Sequence, residues 1–418
     1  MKKVLVAAMA VALAAAMCVP ASAFENEFGG YWRTRAYTQQ DFSGSDNEVQ
    51  DLQQVDTRTR LYYTAKFSDD FKFVNKFEFN SVWGDDNGGD VGADGDNFKV
   101  KNSYIDYNLG NYNFKIGTQG AVLARGLIMD DDFSGAVITG TFGGVTVPFY
   151  WIKNVEGGEG PDYNDADADT IVIAPEFKTG NMKINPYLVY SYIKESNDKY
   201  EVKTIDKFLP AGVKDVHAAN FGVDIDVALN ENANLWFTGI YQYGQAEYND
   251  VDYDLSSYLV ALGGKIGLGE IGLHGEFFYA SGDEDGTADG DFDAFVDITQ
   301  GQSYYWSEIM GYGLIDNQVS NNSCADKISN IMALNIGASM SPMDKLTVGA
   351  DIWYAMLAED EVVNGSKEDY LGTELDLSAS YEVMDNLTLD VVAAYLFAGD
   401  ATGDEDPMQL AAQLSFSF

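Results

Sequence analysis

The chain ends in Met408-Gln409-Leu410-Ala411-Ala412-Gln413-Leu414-Ser415-Phe416-Ser417-Phe418, and this stretch indicates the fold. Its bulky apolar side chains occupy every second position, and its glutamines and serines lie between them. Successive side chains of a β-strand point to opposite faces, whereas apolar residues of a helix recur every three or four positions. The stretch therefore predicts a strand with one apolar face and one polar face.

The same alternation recurs along the chain, for instance at residues 71–80, 220–229 and 371–380. Eight short turns rich in Gly, Asn and Asp, the residues that tight hairpins favour, separate such segments. They lie at Ser68–Asp70, Gly110–Asn111, Gly143–Gly144, Gly180–Asn181, Asn230–Asn234, Leu268–Glu270, Ser341–Asp344 and Val383–Asn386. Nine mostly longer, acid-rich segments alternate with them, at 38–50, 84–97, 119–132, 154–168, 196–216, 248–252, 283–327, 358–367 and 399–406. Seventeen connections predict eighteen strands, with sixteen as the alternative.

Two all-β architectures fit this pattern. A soluble β-sandwich or propeller would turn the apolar faces inward, but a sandwich does not sort its loops by length, and no repeat of propeller size is present. A transmembrane up-and-down antiparallel barrel turns them toward lipid, with short periplasmic turns on one rim and long extracellular loops on the other. We therefore predict the barrel, whose closure satisfies the backbone groups of the wall.

The first residues have the composition of a secretory signal. Lys2-Lys3 precedes an apolar run from Val4 to Val19, and Ala21-Ser22-Ala23 supplies small residues for cleavage. The alternative is a membrane anchor, but the run is shorter than the ~20 residues that a spanning helix needs. We expect residues 1–23 to be a cleaved signal peptide and residues 24–418 to form one barrel domain.

Composition excludes several functions. The chain carries 66 Asp and Glu against 25 Lys and Arg, for a net charge of −41, so it is not a nucleic-acid binder. Its 26 Tyr and 24 Phe exclude an acidic disordered chain. With two His and two Cys, we predict no metal and no cofactor. His217 and His274 have no serine at a spacing that predicts a triad, so we predict that the protein is not an enzyme.

The terminal strand also carries a resemblance. Leu414, Phe416 and the final Phe418 resemble the C-terminal assembly signal of Gram-negative outer-membrane proteins, and the chain from residue 24 onward resembles the bacterial porin superfamily. Residues 114–120, followed by 130–135, are similar to the third-loop region of several porin families, where a glycine-broken strand leads into a loop folded inside the channel. The resemblance implies a passive channel in the outer membrane, commonly trimeric, in contact with lipid, lipopolysaccharide and the outer-membrane assembly machinery.

Charge is unevenly distributed, since all five arginines lie before residue 126. On their strands the basic side chains share the polar face, which in a barrel is the lumen wall. The candidate lumen residues are Arg33, Arg35, Arg58, Arg60, Lys72, Lys76, Glu78, Lys115, Arg125, Asp130, Asp131 and Asp132. Either the basic ladder faces the acidic third loop across a constriction, or its members form wall salt bridges with Asp56, Glu78 and Asp106.

These patterns predict a passive, water-filled channel for small hydrophilic solutes and ions. Carboxylates on the polar faces of later strands, such as Asp224, Asp226 and Glu374, predict modest cation selectivity. The alternative is a substrate-specific channel for sugars or anionic oligosaccharides, guided by the arginines. Residues 303–308, Ser-Tyr-Tyr-Trp-Ser-Glu, would then stack on sugar rings, or would otherwise pack as a lid over the mouth.

Overall fold

The architecture comes from a computed structural model that describes residues 24–45, 51–86, 88–91, 98–156, 167–195, 214–248, 251–284 and 290–418. The expected signal peptide lies outside these residues. The described chain forms twenty β-segments and one short 3-10 turn, Ala124–Gly126. The segments are β1 (Glu25–Gln40), β2 (Leu52–Ser68), β3 (Phe71–Val82), β4 (Phe98–Leu109), β5 (Tyr112–Leu123), β6 (Met129–Phe142), β7 (Val145–Val155), β8 (Ala168–Ile173), β9 (Phe177–Thr179), β10 (Met182–Glu195), β11 (Lys214–Asn230), β12 (Ala233–Tyr248), β13 (Val251–Leu268), β14 (Ile271–Ala280), β15 (Asp291–Phe292), β16 (Ile331–Met343), β17 (Leu346–Val363), β18 (Ser366–Met384), β19 (Leu387–Ala398) and β20 (Met408–Ser417). No helix among the described residues is long and apolar enough to cross a membrane.

Two of the twenty segments add no crossing of the barrel wall. β8 and β9 both pair with β10 and form one strand interrupted at residues 174–176. β15 has two residues inside the connection from β14 to β16, and it pairs in parallel with β13. The described chain therefore contains eighteen wall strands, and the predicted number of eighteen is confirmed.

The wall is closed. β1 pairs antiparallel with β2 on one side and with β20 on the other, where the register runs from Tyr31 opposite Ser417 to Gln40 opposite Met408. A closed sheet has no edge strand, so its backbone N–H and C=O groups find partners within the wall. The predicted up-and-down antiparallel barrel is confirmed.

Exposure shows which face of the wall looks outward. Leu410 on β20 is 55% exposed, whereas its neighbour Gln409 is 2% exposed. The same contrast separates Ile352 on β17, 54% exposed, from Trp353, 5% exposed. The glutamine and tryptophan are covered because they face a filled interior. An apolar outer surface around a polar interior is the arrangement of a transmembrane barrel.

Connection lengths differ between the two rims. One rim carries only two-residue turns, at 69–70, 110–111, 143–144, 180–181, 231–232, 269–270, 344–345 and 385–386. Gly110 and Gly180 adopt φ +59° there, a conformation that favours glycine. At the other rim, the ends of consecutive wall strands are separated in sequence by residues 41–51, 83–97, 124–128, 156–167, 196–213, 249–250, 281–330, 364–365 and 399–407. The predicted alternation is confirmed, although 249–250 and 364–365 are as short as the turns, because their flanking strands extend further than predicted.

The third long connection was predicted at 119–132, and these bounds are wrong. β5 continues to Leu123 and β6 begins at Met129, so the connection has five residues. Asp130, Asp131 and Asp132 consequently belong to a strand. The strands are longer than predicted because β5 and β6 keep pairing with each other after both have left their neighbours in the wall.

Candidate functional site in the barrel lumen

The basic residues of the first strands face the lumen, and carboxylates on the same wall pair with most of them. Arg35 Nη2 lies 2.5 Å from Asp56 Oδ2, and Arg60 Nε lies 2.7 Å from Glu78 Oε2. Arg58 Nε is 3.6 Å from the same Glu78 oxygen and donates to Asn80 Oδ1 at 2.8 Å. These contacts are wall salt bridges, the second of the two arrangements considered above for the basic residues.

The lysines lie nearer the turn rim. Lys72 Nζ is 3.2 Å from Asp106 Oδ2, and both residues line a cavity of about 320 Å³ together with Asn113 and Lys115. Lys76 Nζ lies 5.6 Å from the centre of the Tyr62 ring, a cation–π contact. Glu78 and Asp106 are nearly buried, because each sits beneath the cation that it pairs with.

Arg33 is the exception among the arginines. Its Nε and Nη2 atoms are buried without a hydrogen-bond partner among the described residues. Arg58 lies directly opposite it on β2, and Arg35 follows on β1, so two cations flank it. A guanidinium with unpaired N–H atoms and two cationic neighbours adds positive potential to this part of the wall.

A hairpin tip leaves the wall and crosses the lumen. β5 pairs with β4 only up to Thr118, and β6 pairs with β7 only from Ser134, yet β5 and β6 pair with each other as far as Leu123 opposite Met129. Gly117 makes this bend possible, since it has φ +132° and a Cβ there would lie 2.3 Å from the Ser103 carbonyl oxygen. Residues 119–133 are called the hairpin tip below.

Arg125 shows how far the hairpin tip reaches. Its Nη2 atom lies 2.7 Å from Asp226 Oδ1 on β11, and its Nε donates to Thr238 Oγ1 on β12 at 3.2 Å. The guanidinium also stands 4.7 Å from the centre of the Trp236 ring. These partners lie on the far wall from the basic strands, so Arg125 ties the hairpin tip to the opposite side.

The acidic triplet sits on the hairpin tip, with a partner that the sequence did not indicate. Lys101 Nζ lies 2.5 Å from Asp132 Oδ2, and Asn102 Nδ2 donates to Asp132 Oδ1 at 3.0 Å. Lys101 is the bulged residue of β4, so alternation alone does not predict its direction. Asp130 and Asp131 are exposed beside it. Among the described residues, none of these three aspartates forms an ion pair with an arginine.

The described parts of the connection from β14 to β16, residues 281–284 and 290–330, fill much of the lumen and are called the inner loop below. Its apolar side chains are buried: Phe292, Phe295, Val296, Ile298, Ile309, Met310, Ile315 and Ile328. Trp306 makes edge contacts with Phe278 and Trp353 of the wall, at ring-centre distances of 5.2 and 5.1 Å. Of the two interpretations of residues 303–308, the packed one describes Tyr304 and Trp306, which are each 8% exposed.

Glu374 on β18 anchors the inner loop. Its carboxylate accepts hydrogen bonds from Ser307 Oγ at 3.0 Å, Ile309 N at 2.7 Å and Met310 N at 3.0 Å. Sequence reasoning placed Glu374 in the lumen but missed this role. The strand pattern predicts that this carboxylate points inward, but it does not predict that a segment 65 residues away donates hydrogen bonds to it.

Asp297 organises the inner loop locally. It is 4% exposed and accepts from the backbone N–H groups of Thr299, Gln300 and Gln302 at 2.8 to 3.0 Å. Burial raises the pKa of this carboxyl, and the donated hydrogen bonds oppose that shift. The turn so formed places the Thr299 hydroxyl within hydrogen-bond reach of the Ile128 carbonyl, at 2.6 Å.

The inner loop and the hairpin tip are joined by further bonds. Gln302 Nε2 donates to the Leu127 carbonyl at 2.6 Å, and Asp130 N donates to the Gly301 carbonyl at 2.8 Å. Arg35 of the basic wall donates to the carbonyls of Leu314 and Ile315. The two segments therefore form one internal structure, which is fastened to both walls.

The later strands give the lumen an acidic side. Its inward carboxylates are Asp224, Asp226, Glu276, Asp351, Glu374 and Asp376. Glu308 of the inner loop points toward this group. Burial raises its pKa to about 7, and the charges of Glu374 and Asp351 add to the shift. The lumen thus has a basic side on β1–β5 and an acidic side on β11–β18.

The histidine contacts are structural. His274 Nε2 lies 2.6 Å from Asp351 Oδ1, which also accepts from Asn335 Nδ2 at 3.0 Å. This is a wall pair on neighbouring strands. Across the ranges that the structure covers, no group of three or more His, Cys, Asp or Glu side chains is arranged to hold a metal ion.

At the seam of the barrel, the last residues contact the first strand. Gly30 N donates to the Phe418 carbonyl at 2.8 Å, and the Phe416 and Phe418 rings stack at 5.5 Å. Leu414 and Phe416 lie on the outward face of β20, opposite Thr34 and Trp32. Their role as an assembly signal stays a prediction.

Comparison with known proteins shows which solved structures have a similar fold. No family model and no curated protein matches the chain. Among solved structures, OpdQ of Pseudomonas aeruginosa is 12% identical with a TM-score of 0.59, over 94% of this chain and 99% of that one. OccAB4 of Acinetobacter baumannii is 10% identical with a TM-score of 0.60, over 96% and 100%. The outer membrane protein OprD of Pseudomonas aeruginosa is 12% identical with a TM-score of 0.56, over 94% and 93%.

Taken with the apolar outer surface, these likenesses define the class: the chain has the closed barrel fold of Gram-negative outer-membrane porins. The particular version is the eighteen-strand barrel of the OprD and Occ proteins, which the structure matches over nearly its whole length. The fold and the outer surface point to the bacterial outer membrane.

Proposed function

We propose that the protein is a passive outer-membrane channel for small hydrophilic solutes and ions. The observation that carries the proposal is a closed eighteen-strand wall with exposed leucines outside and charged residues inside. Such a wall encloses a polar path through hydrocarbon, and diffusion along it needs no cofactor and no catalytic step. Its location would bring the protein into contact with lipid, lipopolysaccharide and the assembly machinery, and a homotrimer is one arrangement of its copies.

We propose that the narrowest part lies between the basic wall and the hairpin tip. The inner loop fills the acidic side of the lumen and also reaches β1 at Arg35, so we place the remaining space along Arg58 and Arg60, which are partly exposed. Asp130 and Asp131 are exposed on the hairpin tip, and they supply the negative side of this passage. Opposed charges across a narrow, partly dry passage create a transverse field that orients dipolar solutes.

Modest cation selectivity is part of the proposal. Arg35, Arg58 and Arg60 are paired with Asp56 and Glu78, which reduces their influence on passing ions. The chain as a whole has a net charge of −41, and its acidic side and loops raise the local concentration of cations.

A second candidate is a substrate-specific channel for sugars or anionic oligosaccharides. The filled lumen favours it, because a barrel occupied by buried Phe292, Phe295 and Ile309 leaves less room than a general pore requires. The charge of Arg33, whose Nε and Nη2 atoms are buried and unpaired, would attract such an anion electrostatically. One solved neighbour, OpdK of Pseudomonas aeruginosa, was crystallised with vanillate, a small aromatic carboxylate.

Planar-bilayer recording with a salt gradient tests the proposal. The purified protein should insert as discrete conductance steps, with a reversal potential of the cation-selective sign. Liposome swelling then separates the candidates: a smooth fall in rate with solute size supports the general channel, and saturation by one sugar or anion supports the specific one. Absence of conductance from correctly folded protein would contradict both.

A further inference from the structure

One aromatic ring of the inner loop is exposed although its neighbours are buried. Tyr304 and Trp306 are each 8% exposed, and both make edge contacts with Phe278 of the wall. Tyr305 lies between them in sequence and is 47% exposed, so its ring points away from that wall, toward water. Packing of the inner loop against the wall therefore does not account for Tyr305.

A second tyrosine stands beside Tyr305. The ring centre of Tyr312 lies 5.9 Å from that of Tyr305, and the two ring planes are tilted by 45°. The backbone of Tyr312 has φ +72°, a left-handed conformation that a bulky side chain rarely adopts. The packed inner loop holds Tyr312 in this conformation, and its ring consequently forms a tilted pair with the exposed ring.

Each of the two rings is fixed at its hydroxyl by a carboxylate. Tyr305 Oη donates to Asp316 Oδ1 at 3.0 Å, and Tyr312 Oη donates to Asp326 Oδ2 at 3.2 Å. Both aspartates keep contact with solvent. Among the described residues, neither of them forms an ion pair with a lysine or an arginine. These two tyrosines and two aspartates are called the tyrosine platform below.

Negative charge collects at the tyrosine platform. Partial removal from water raises the pKa of the Asp326 carboxyl, and the charges of Asp316 and of Asp131 on the hairpin tip add to the shift, while hydrogen bonds oppose it. Carboxylates that repel one another in this way are stabilised by a cation placed among them. The platform thus combines open aromatic faces with negative charge that no described cation neutralises.

The tyrosine platform lies on the inner-loop side of the passage proposed above. Arg35 of β1 donates to the carbonyl of Ile315, the residue before Asp316, which brings the platform close to the basic wall. Asn321 N donates to the Phe42 carbonyl at 2.8 Å, so the same part of the inner loop reaches the rim with the longer connections. A solute that enters from this rim therefore passes the platform.

We propose that the tyrosine platform binds organic cations of the alkylated ammonium class. The face of an aromatic ring attracts a cation, and the attraction is larger when the cation has lost its water, which an alkylated ammonium does more readily than K⁺ or Na⁺. Because both tyrosine hydroxyls are already engaged, the rings offer their faces, which suits an ion whose charge is surrounded by methyl groups. The inference rests on the channel of the proposed function and names a solute class for it.

A sugar is the competing ligand for exposed tyrosine rings. A neutral sugar could stack on one ring and donate hydroxyl hydrogens to the carboxylates, but it would leave the negative charge of Asp131, Asp316 and Asp326 uncompensated. An alkylated ammonium satisfies the charge and the ring faces together. The chemistry of the platform therefore favours the cation.

Block of ion current tests the site. Tetramethylammonium chloride is added, at constant ionic strength, to channels that conduct KCl in planar bilayers. We expect a saturable fall in current that defines a half-blocking concentration. tert-Butanol has nearly the same shape without the charge, and it should not block at the same concentrations; neither should glucose. Equal or stronger block by either neutral compound would overturn the proposal.

Substitutions locate the site on the tyrosine platform. Tyr305→Leu removes one ring and should raise the half-blocking concentration about fivefold, whereas Tyr305→Phe keeps the ring and should stay within about twofold of the wild type. Asp316→Asn should raise it about threefold. The matched controls are Tyr381→Leu on the outer wall and Asp344→Asn on the turn rim, and neither should change it. Equal values in the wild type and Tyr305→Leu would overturn the proposal.

A binding measurement separates this proposal from the channel. Saturation-transfer NMR of tetramethylammonium with the purified protein in detergent detects binding without conduction. A signal that is lost in Tyr305→Leu would support the site even if bilayers showed no current, a result that would contradict only the channel. Conductance with neither block nor an NMR signal would contradict only the site.

Discussion

Arg33 differs from its neighbours because the wall supplies carboxylates to them and none to it. Asp56 lies beside Arg35, and Glu78 lies between Arg58 and Arg60. Arg33 is left with two buried N–H atoms unpaired. Like charges on neighbouring strands repel one another, so this guanidinium gains most from an anion that enters the lumen. A single residue can therefore influence which ions pass.

Arg33→Gln should shift ion preference further toward cations. Removing one unpaired charge from a passage of low dielectric should raise the cation-to-anion permeability ratio by about twofold. The measurement is the reversal potential in a salt gradient. Lys345→Gln removes the same charge on the turn rim and serves as the control. Equal shifts in the two variants would contradict a local role for Arg33.

Gly30→Ala should weaken the seam of the barrel. A Cβ at Gly30 would lie 2.4 Å from Phe418 Cζ and 2.7 Å from the Arg60 carbonyl oxygen. Displacing the ring and strand should cost about 1–3 kcal/mol and lower the unfolding temperature. Thermal unfolding in detergent measures the change. Gly267→Ala is the control, because its nearest atoms are 3.8 Å away, and a similar loss there would refute the seam explanation.

Among the elements, the inner loop is unusual for a long connection between two wall strands. It is long, yet its apolar side chains are buried inside the barrel, and Asp297 and Glu374 bind its backbone. A loop that satisfies its backbone with carboxylates can fold inward without leaving polar groups unpaired. The inner loop therefore behaves as a packed element of the lumen.

Glu374→Ala should loosen the inner loop. Three donors would lose their acceptor, with a cost of about 3 kcal/mol or more for loop packing. We expect larger and noisier single-channel currents and faster proteolysis within residues 303–315. Glu374→Gln keeps the shape and one acceptor oxygen, so it should lie between the wild type and alanine. Identical currents and proteolysis in all three proteins would show that Glu374 does not anchor the loop.

Packing of the inner loop should also depend on pH through Glu308. Its pKa is raised to about 7 by burial, so the packed loop favours the protonated form. Stability from this group is fully present below its ordinary pKa of about 4.5, is lost as pH rises toward 7, and changes by at most about 3 kcal/mol. Current noise should increase over this interval. Glu308→Gln should abolish the dependence, and a pH profile that persists in that variant would assign it elsewhere.

At the scale of the whole molecule, charge is separated between the two sides of the lumen. Four of the five arginines and six lysines lie on β1–β5, and most inward carboxylates lie on β11–β18. The resulting field crosses the passage, while the net charge of −41 acts on ions at both mouths. In the proposed channel, we expect the first effect to orient solutes and the second to set the overall ion preference.

The contribution of the chain's net charge to cation preference should weaken as the salt concentration rises. The Debye length falls from about 10 Å at 0.1 M to about 3 Å at 1 M, so loop charges outside the passage become screened. Cation preference should decline steadily over this range. Reversal potentials at a fixed concentration ratio and several mean concentrations measure it. A preference independent of salt would place its source inside the constriction instead.

Several features follow from local chemistry and were predictable. Alternation in residues 408–418 sets the two faces of a strand, because side chains of an extended backbone point to opposite sides. Gly110 and Gly180 mark tight turns because glycine tolerates positive φ. Since every turn reverses the chain, strand number, antiparallel order and the sorting of connections between two rims depend only on neighbouring residues.

Tertiary structure decided which charges meet and what fills the lumen. Arg125 binds Asp226, 101 residues away, and Glu374 binds Ile309 N, 65 residues away. Neither contact leaves a local signal, because strand pattern shows that a side chain points inward but not what lies opposite it. Folding of the inner loop likewise depends on the summed burial of its apolar residues against walls that exist only once the barrel has closed.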